Sequence, residues 1–456
     1  EAAAVIFDEA HELEDIASNY FGVALTNSRF DELARDTESM LRAKGASSSA
    51  IENATVSLRE RSRLFFGSLP VGPSHLGRLE FTDRADFLEL RGESYIGAAN
   101  ALQRLEGELE RLREVEEASG LRKRAADIRN HLKFLLESTD PNTVFWIERR
   151  ATQNLRNAAR IATTSGAPRS DSGTWASEAT QNFQAFNTHL QATPIDVSTI
   201  LAETLFTHYP SIILTSATLA VAGADGAPSF EHLKKRLGIP FPKELLVPSH
   251  FDYSKQALLY LPRAMPPPRD PEFLPQAAEK IRRVLEITRG RAFCLFTSYA
   301  QMRELHDRLL AQLPFPLLLH GTAPRHVLLQ QFRETPNAVL FGTSSFWQGV
   351  DVQGEQLSCV IIDKLPFAVP SDPIMKARTD AITAAGGNAF TELQIPQAVI
   401  TLKQGFGRLI RSLSDRGLLV LLDPRVRTAR YGKVFLDSLP NYRRTDDIME
   451  VEKFFA

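Results

Sequence analysis

The chain has 456 residues, with 53 Lys and Arg against 55 Asp and Glu, and a formal net charge of −2. This length predicts roughly two to four domains. Hydrophobic residues make up 43% and charged residues 24%, values that exclude a disordered or collagen-like chain. The near-zero total charge leaves nucleic-acid binding open, because an acidic part of a chain can mask a basic groove elsewhere.

The two cysteines and the first residues indicate the cellular setting. Cys294 and Cys359 form no CxxC motif, so neither a disulfide framework nor a cysteine metal site is expected. No apolar run reaches the ~20 residues that span a bilayer. The first 20 residues contain six acidic residues and no Lys or Arg, unlike a signal peptide. We therefore predict a cytoplasmic protein without a membrane partner, and we expect that its beginning is missing because the first residue is Glu1.

The first predicted element is a strand that ends in two carboxylates. Residues 2–7 (AAAVIF) are an apolar run followed by Asp8 and Glu9, a pattern typical of a buried parallel strand. Ligands of α/β proteins bind at the carboxyl ends of such strands. One carboxylate there can hold Mg²⁺ through water while the other polarises an attacking water. The alternative is an acidic helix start, where both side chains favour the helix dipole.

Residues 23 to 142 have a helical pattern. Leucines and other apolar residues recur every three or four positions from Leu102 to Leu112, and again from Leu121 to Leu135 beyond Ser119-Gly120. This spacing predicts two antiparallel helices. The charged residues between the leucines are expected to form a solvated face.

A strand with aromatic and basic residues is predicted next. Thr143–Glu148 (TVFWIE) is the strand, and five arginines follow between Arg149 and Arg169. They suit a DNA phosphate backbone, and they equally suit a solvated loop. Phe145 and Trp146 are candidates for base stacking, but their apolar neighbours favour a core strand.

The pattern of the second half of the sequence predicts an alternating β/α domain. Residues 211–219 (SIILTSATL) run from an apolar strand into hydroxyl residues that can relay hydrogen bonds or simply cap the strand. The proline-rich stretch 262–275 predicts a stiff connector. Helical segments at 276–287 and 299–313 then alternate with strand candidates, which indicates a parallel sheet. The strand candidates are Ala292–Thr297, Leu317–His320, Ala338–Phe341, Cys359–Ile362 and Leu418–Leu422.

Residues 404–411 (QGFGRLIR) combine Gln404, a close-approach glycine, and two arginines. On a helix Arg408 and Arg411 would share one face, and together they would suit a triphosphate. A solvated basic helix is the alternative. Residues 402–444 carry ten basic and three acidic side chains, a local excess that the total charge conceals.

Six motifs follow one another along the chain: VIFDEAH at 5–11, SIILTSATL at 211–219, FCLFTSY at 293–299, FGTSSFWQGVDVQG at 341–354, IIDKLPF at 361–367 and QGFGRLIR at 404–411. Taken in order, they resemble the motifs of the XPD-type superfamily-two DNA helicases, above all the bacterial DinG and YoaA branch. The resemblance implies an α/β fold with two RecA-like motor domains, the first of them incomplete, and a helical arch-like insertion in the first. It also implies an ATP-dependent 5′–3′ DNA helicase acting in repair or replication.

The same resemblance implies domain boundaries. The first motor domain would comprise residues 1–22 and 191–256, the insertion 23–190, and the second motor domain 257–456.

The resemblance also assigns roles to single residues. Asp8 would bind the Mg²⁺ of ATP through water, and Glu9 would activate the attacking water. One of Arg408 and Arg411 would serve as an arginine finger, and Gln404 would place the γ-phosphate or the water. His11 would couple the nucleotide site to the hydroxyl residues Thr215, Ser216 and Thr218. Gly349 and Asp351 would lie at the nucleotide cleft. The residues that would contact DNA are Thr297, Ser298, Thr343, Arg149 and Arg150.

Two parts of the family pattern are missing. The chain contains no GxxxxGK[ST] phosphate-binding loop and no four-cysteine iron–sulfur motif, and both are expected before Glu1. The resemblance implies ATP and Mg²⁺ as cofactors, and it leaves open an iron–sulfur cluster in the parent protein but not in this chain. Without the phosphate-binding loop, the chain alone should barely hydrolyse ATP. Single-stranded or forked DNA and a replication or repair protein are the predicted partners. The alternatives are a non-hydrolysing module that binds single-stranded DNA or protein, and part of a helicase–nuclease fusion.

Overall fold

The computed structural model describes the chain except for residues 1–2, 45–47, 73–76, 113, 152–185, 344–345, 348–351 and 353–355. It divides into two compact units. Unit 1 comprises Glu1–Leu13, Ser198–Ala368 and Ile382–Ala456, and unit 2 comprises Glu14–Val197 and Val369–Ala381. The domain boundaries inferred from the family resemblance stay a prediction.

The described strands are short, and most have four or fewer residues. They are β1 Val5–Phe7, β2 Val23–Thr26, β3 Gly77–Glu80, β4 Thr143–Ala151, β5 Phe186–Pro194, β6 Ile212–Leu214, β7 Val221–Ala222, β8 Pro228–Ser229, β9 Ala257–Tyr260, β10 Ala292–Leu295, β11 Leu317–Leu319, β12 Val339–Gly342, β13 Cys359–Ile362, β14 Gly417–Leu421 and β15 Arg443–Thr445.

The α-helices include two long ones that correspond to the leucine-spaced segments. They are α1 Leu13–Tyr20, α2 Asn27–Ala43, α3 Ser49–Ser68, α4 Arg84–Glu110, α5 Glu116–Glu137, α6 Ser198–Leu201, α7 Glu231–Leu237, α8 Tyr253–Gln256, α9 Phe273–Thr288, α10 Tyr299–Leu310, α11 Arg325–Glu334, α12 Pro373–Ala384, α13 Ile395–Phe406, α14 Arg425–Thr428, α15 Gly432–Ser438 and α16 Ile448–Phe455.

A seven-stranded parallel sheet forms the core of unit 1, in the order β11-β12-β10-β13-β14-β9-β15. Each apolar run predicted as a strand between residues 292 and 422 lies in it, which confirms the α/β fold. Along β10, Phe293 and Leu295 join one apolar cluster while Ala292 and Cys294 join another. The sheet is therefore buried on both faces, which explains its uninterrupted apolar strands. The proline-rich stretch links β9 to α9 within this unit.

A separate two-stranded parallel sheet pairs β1 with β6, with Val5 opposite Ile212. The predicted strand is present, but the prediction that it is buried is wrong. Ile6 is 66% exposed and Ile213 is 45% exposed. In the part of the chain that the structure describes, this sheet has only these two strands, so its faces are only partly covered.

Unit 2 packs helices α2–α5 against a four-stranded antiparallel sheet, ordered β2-β5-β4-β3. The two predicted leucine-spaced helices are α4 and α5, and their apolar residues lie in one core. Residues 23–190 are thus not purely helical, since they also contribute strands to this sheet. Of its four strands, only β4 was predicted from the sequence. Phe145 and Trp146 are buried in β4, as their apolar neighbours indicated. None of the described helices has both the length and the apolar character needed to cross a membrane.

Candidate nucleotide and nucleic-acid site

The ends of β1 and β6 bring two predicted motifs together in unit 1. The Thr215 N–H donates to the Phe7 carbonyl at 2.8 Å, and the Ala10 N–H donates to the Thr215 carbonyl at 2.9 Å. Because the strands are parallel and in register, their carboxyl ends lie side by side. Asp8 and Glu9 therefore adjoin Thr215 and Ser216.

Hydrogen bonds between side chains connect these neighbours. Thr215 Oγ1 donates to Asp8 Oδ1 at 2.9 Å, and Ser216 Oγ donates to Glu9 Oε2 at 2.8 Å. His11 Nδ1 lies 3.1 Å from Ser216 Oγ and 3.2 Å from Glu9 Oε2. In the tautomer that carries its proton on Nδ1, His11 can donate to either oxygen. The imidazole side chain is only 4% exposed, and this fixes its orientation.

The backbone of Glu9 lies in the left-handed region, with φ +51° and ψ +43°. A non-glycine residue in this region is uncommon and carries strain, which is often found at functional sites. The Glu9 N–H donates to Asp8 Oδ1 at 3.0 Å. The bonds to Asp8 and Ser216 thus hold Glu9 in a conformation that its own backbone preference disfavours.

The predicted relay continues from the hydroxyl residues to α13. Ser216 Oγ and Thr218 Oγ1 are 3.3 Å apart, and Gln404 Nε2 donates to Thr218 Oγ1 at 2.5 Å. Lys403 Nζ donates to the carbonyl of Ala220 at 2.8 Å, and burial lowers the pKa of Lys403 to about 8. A continuous series of polar contacts therefore connects Glu9 with the QGFGRLIR motif.

The two arginines of that motif do not share a helix. Helix α13 ends at Phe406, with Gly407 as its C-cap, so the expected common helical face of Arg408 and Arg411 is wrong. Arg408 is 8% exposed and donates from Nε and Nη2 to the carbonyl of Trp347, at 3.3 and 3.0 Å. Arg411 is exposed, and its backbone N–H donates to Asp415 Oδ2 at 2.8 Å. Gly349 and Asp351 lie outside the described residues.

The expected close-approach glycine is Gly405. A Cβ added there would lie 3.0 Å from the Trp347 ring and 3.2 Å from the Ile362 side chain. The absent side chain lets Trp347, which accepts from Arg408, pack directly on α13.

The predicted DNA-contacting hydroxyls lie at the carboxyl edge of the seven-stranded sheet. Thr297 and Ser298 follow β10, and Thr343 follows the adjacent β12, with Leu295 opposite Gly342. Ser298 is the N-cap of α10 and accepts from the Gln301 N–H. The sheet thus places these three residues close together at the edge where α/β proteins bind ligands.

Residues that were not predicted line the same edge. His320, after β11, lies with its Nδ1 2.8 Å from Thr343 Oγ1, and burial lowers its pKa. Asp363, after β13, accepts from the Thr297 N–H at 3.3 Å, and burial raises its pKa to about 7. Lys364 donates to Gln301 Oε1. The signal that could have identified them was their position at or just after the end of a predicted strand, and for Asp363 and Lys364 also their place in the IIDKLPF motif.

The predicted DNA-contacting arginines of unit 2 lie on β4. Arg149 Nη2 donates to the Leu69 carbonyl at 3.2 Å, and burial lowers the pKa of its guanidinium. Arg150 is exposed and donates from Nη2 to Glu148 Oε2 at 2.6 Å. Both belong to a regular strand. The other arginines of the predicted basic stretch lie outside the described residues.

The oxygen atoms around Asp8 are the candidate ligands for the predicted Mg²⁺. Among the described residues, no group of three or more His, Cys, Asp or Glu is arranged to hold a metal ion. Asp8 with the Thr215 hydroxyl supplies the hard oxygen atoms that Mg²⁺ prefers, and Mg²⁺ commonly keeps several waters. The pair fits water-mediated binding.

Comparison with protein families and curated proteins identifies relatives. Residues 281–442 match the helicase C-terminal domain family. The chain is 38% identical over 465 positions to the ATP-dependent DNA helicase YoaA of Escherichia coli, covering 100% of this chain and 65% of that protein. YoaA of Haemophilus influenzae is 34% identical, over 99% of this chain and 64% of its own length. The ATP-dependent helicase DinG of Mycobacterium tuberculosis is 35% identical over 59% of this chain and 40% of its own.

Solved structures show the same fold. A structure described as XPD APO has a TM-score of 0.57 at 14% identity, covering 97% of this chain and 76% of its own. Xpd4 of S. tokodaii has a TM-score of 0.53 at 13% identity, covering 97% and 75%. This chain spans 65% and 64% of the length of the two YoaA relatives. The chain is thus a relative of the YoaA and DinG helicases with the fold of an XPD helicase, which confirms the resemblance that its motifs indicated.

Proposed function

We propose that this protein is an ATP-dependent DNA helicase of the DinG and XPD type that moves 5′ to 3′ and acts in DNA repair or replication in the cytoplasm. The observation that carries the proposal is the series of side-chain contacts from Glu9 through Ser216 and Thr218 to Gln404. This series joins the strand-terminal carboxylates to the helix that precedes Arg408 and Arg411. The names and identities of the YoaA relatives support the activity, and the XPD-type resemblance supports the polarity.

The nucleotide roles follow from the chemistry of these residues. Asp8 would hold Mg²⁺ through water, and Glu9, fixed by Ser216 and His11, would orient and polarise the attacking water. Arg408 or Arg411 would neutralise charge on the transferring phosphoryl group, an effect that can be worth ~10³ to 10⁵ in rate. Gln404, held by Thr218, would place the γ-phosphate or the attacking water.

The DNA roles belong to the carboxyl edge of the seven-stranded sheet. Thr297, Ser298 and Thr343 present hydroxyl and backbone donors, which contact phosphates without reading sequence. Single-stranded or forked DNA is accordingly the proposed substrate, with a replication or repair protein as a further partner. Arg149 and Arg150 would contribute from unit 2. No iron–sulfur cluster is proposed for this chain, since its sequence has only two cysteines, Cys294 and Cys359, and such clusters are typically held by four cysteine ligands.

ATP hydrolysis stimulated by single-stranded DNA tests the proposal. We expect Glu9→Gln to lower kcat at least about 10²-fold while nucleotide binding persists, because the water loses its base but Asp8 remains. Glu12→Gln is the matched control, since Glu12 lies 3.7 Å from His11 and contacts none of the hydroxyl residues in the relay.

A second test compares ATP hydrolysis by this 456-residue chain with that by the complete gene product. The 456-residue chain contains no GxxxxGK[ST] segment, so alone it should hydrolyse ATP slowly, and the complete gene product is the reference. Rapid turnover by the chain alone, abolished by Glu9→Gln, would show that the phosphate loop is dispensable. Unchanged hydrolysis in Glu9→Gln of the complete gene product would contradict the proposed role of Glu9.

A further inference from the structure

The loop that carries Arg411 has no apolar anchor of its own. Residues 411–414 are exposed, and Leu413 is 72% exposed. Segments with few buried apolar contacts open at low free-energy cost. The order of this loop must therefore come from its hydrogen bonds.

Asp415 supplies one set of these bonds. Its Oδ2 accepts from the backbone N–H groups of Arg411 and Ser412, each at 2.8 Å, and its Oδ1 accepts from Ser412 Oγ at 2.8 Å. Charge-assisted bonds of this kind are strong. They fix the backbone of Arg411 relative to Asp415, but they do not fix the loop relative to the sheet.

Gln256 supplies that second connection. It is the last residue of α8, is 7% exposed, and directly precedes β9. Its Nε2 lies 2.9 Å from the Ser412 carbonyl, 3.2 Å from that of Leu413 and 3.1 Å from that of Asp415. An amide has two N–H donors, so one of them is shared between two carbonyls.

The position of Gln256 makes this contact a rigid one. Strand β9 is buried along its whole length and pairs with β14, with Ala257 opposite Gly417. The loop leads directly into β14. One buried amide therefore attaches three carbonyls of the loop to the start of the adjacent strand.

We propose that Gln256 is a positioning residue that holds the Arg411 loop in place for phosphoryl transfer. The inference rests on the proposed function, and of its two candidate arginines it takes Arg411 as the one that approaches the triphosphate. A long side chain reaches a reacting group accurately only if its backbone is fixed, and displacements near 1 Å can cost about 10²-fold in rate. Gln256 itself touches neither nucleotide nor DNA in this scheme.

Amide hydrogen exchange tests the positioning without relying on catalysis. Gln256→Met keeps the volume and removes both donors. We expect the Arg411 and Ser412 amides to exchange about tenfold faster or more, while amides in β13 keep their rates. Gln312→Met is the matched control, because exposed Gln312 donates only to the Arg308 carbonyl. Unchanged exchange at Arg411 and Ser412 overturns the proposal.

Hydrolysis by the complete gene product then tests the consequence. Gln256→Met should lower kcat about tenfold or more with a KM for ATP within about twofold, since the finger acts in the transition state. In an Arg411→Ala background the same substitution should add little. A full additional loss there would overturn the claim that Gln256 acts through Arg411. If Arg411→Ala itself leaves kcat unchanged, the role proposed for Arg411 is wrong, and exchange alone decides whether Gln256 holds the loop.

Gln256→Glu provides a pH readout that a packing role would not give. An ionised Glu faces three carbonyls and can donate to none, whereas a protonated Glu donates one O–H. Burial raises the pKa of such a carboxyl. The loop amides should therefore be more protected near pH 6 than near pH 8, relative to Gln256→Met. The absence of that difference counts against hydrogen bonding as the cause.

Discussion

Asp363 is a buried carboxylate with one oxygen unsatisfied. Its Oδ1 accepts from the Thr297 N–H, and its Oδ2 has no hydrogen-bond partner among the described residues. Lys364 Nζ lies 3.8 Å from Oδ2 and favours the charged form, whereas nearby Asp423 disfavours it. Burial dominates and raises the pKa to about 7. The position next to a predicted DNA contact makes its protonation relevant to function.

Asp363→Asn should change how stability depends on pH. In the wild type, folded Asp363 keeps its proton up to about pH 7, whereas the unfolded chain releases it near pH 4. The folded chain then binds more protons between those values, so its free energy of unfolding falls as pH rises through that window. Between pH 5 and pH 8 the wild type should lose roughly 2 kcal/mol relative to the variant.

Urea unfolding at the two pH values measures this difference. Groups that titrate in both proteins cancel in the comparison. The exposed Asp437→Asn is the matched control and should leave the difference between the two pH values unchanged. A wild type that gained stability relative to Asp363→Asn on going to pH 8 would contradict the expected sign.

Single residues were predictable where they end an apolar strand within a motif. Asp8, Glu9, Thr215 and Ser216 were predicted this way, and the pairing of β1 with β6 brings them together. Gln256 was not predicted, because its role depends on carbonyls more than 150 positions away in the chain. Only the folded chain shows which carbonyls those are.

At the scale of elements, the packing of α13 requires a glycine at position 405. Gly405 lies inside the helix, where Ala would normally stabilise by ~0.5 to 1 kcal/mol. Here a methyl group would meet Trp347 at 3.0 Å and Ile362 at 3.2 Å. We expect Gly405→Ala to lower the free energy of unfolding by ~1 to 3 kcal/mol, as overpacking does.

Chemical denaturation of paired variants checks this. Gly120→Ala in α5 is the control, since no atom lies within 4 Å of an added Cβ there, and it should be neutral or stabilising. An equal increase in the free energy of unfolding of both variants would contradict this expectation and show that the Trp347 ring shifts without cost. Each midpoint should be monitored by a local probe in the helix that carries the substitution, α13 for Gly405→Ala and α5 for Gly120→Ala, because the two units have separate cores.

Elements were predictable in proportion to the length of their pattern. The leucine spacing predicted α4 and α5 over many turns, and the apolar runs predicted five strands of the parallel sheet. The sheet of unit 2 was largely missed, because β2 and β3 have four residues each and their partners lie far along the chain. Gly407 ended α13 earlier than the arginine spacing indicated.

At the scale of the whole molecule, pairing reduces the basic excess of residues 402–444. Arg427 lies 3.2 Å from Asp446. Arg443 lies 3.7 Å from Glu450. Asp446 and Glu450 lie just beyond the counted window, so its charge overstates what a phosphate backbone would meet. Exposed Arg430 and Lys433 are the better candidates for contact with DNA.

The salt dependence of single-stranded DNA binding should reveal which charges take part. For single strands, log K falls with log salt by about 0.7 per phosphate neutralised. We expect Arg430→Gln and Lys433→Gln each to weaken binding to an oligothymidine and to reduce the slope by about 0.7, as measured by fluorescence anisotropy between 50 and 300 mM salt. Lys453→Gln, which neutralises an exposed lysine on α16, is the matched control and should leave the slope unchanged. If all three variants shift affinity equally with the same slope, the effect comes from net charge, and Arg430 and Lys433 do not contact the strand.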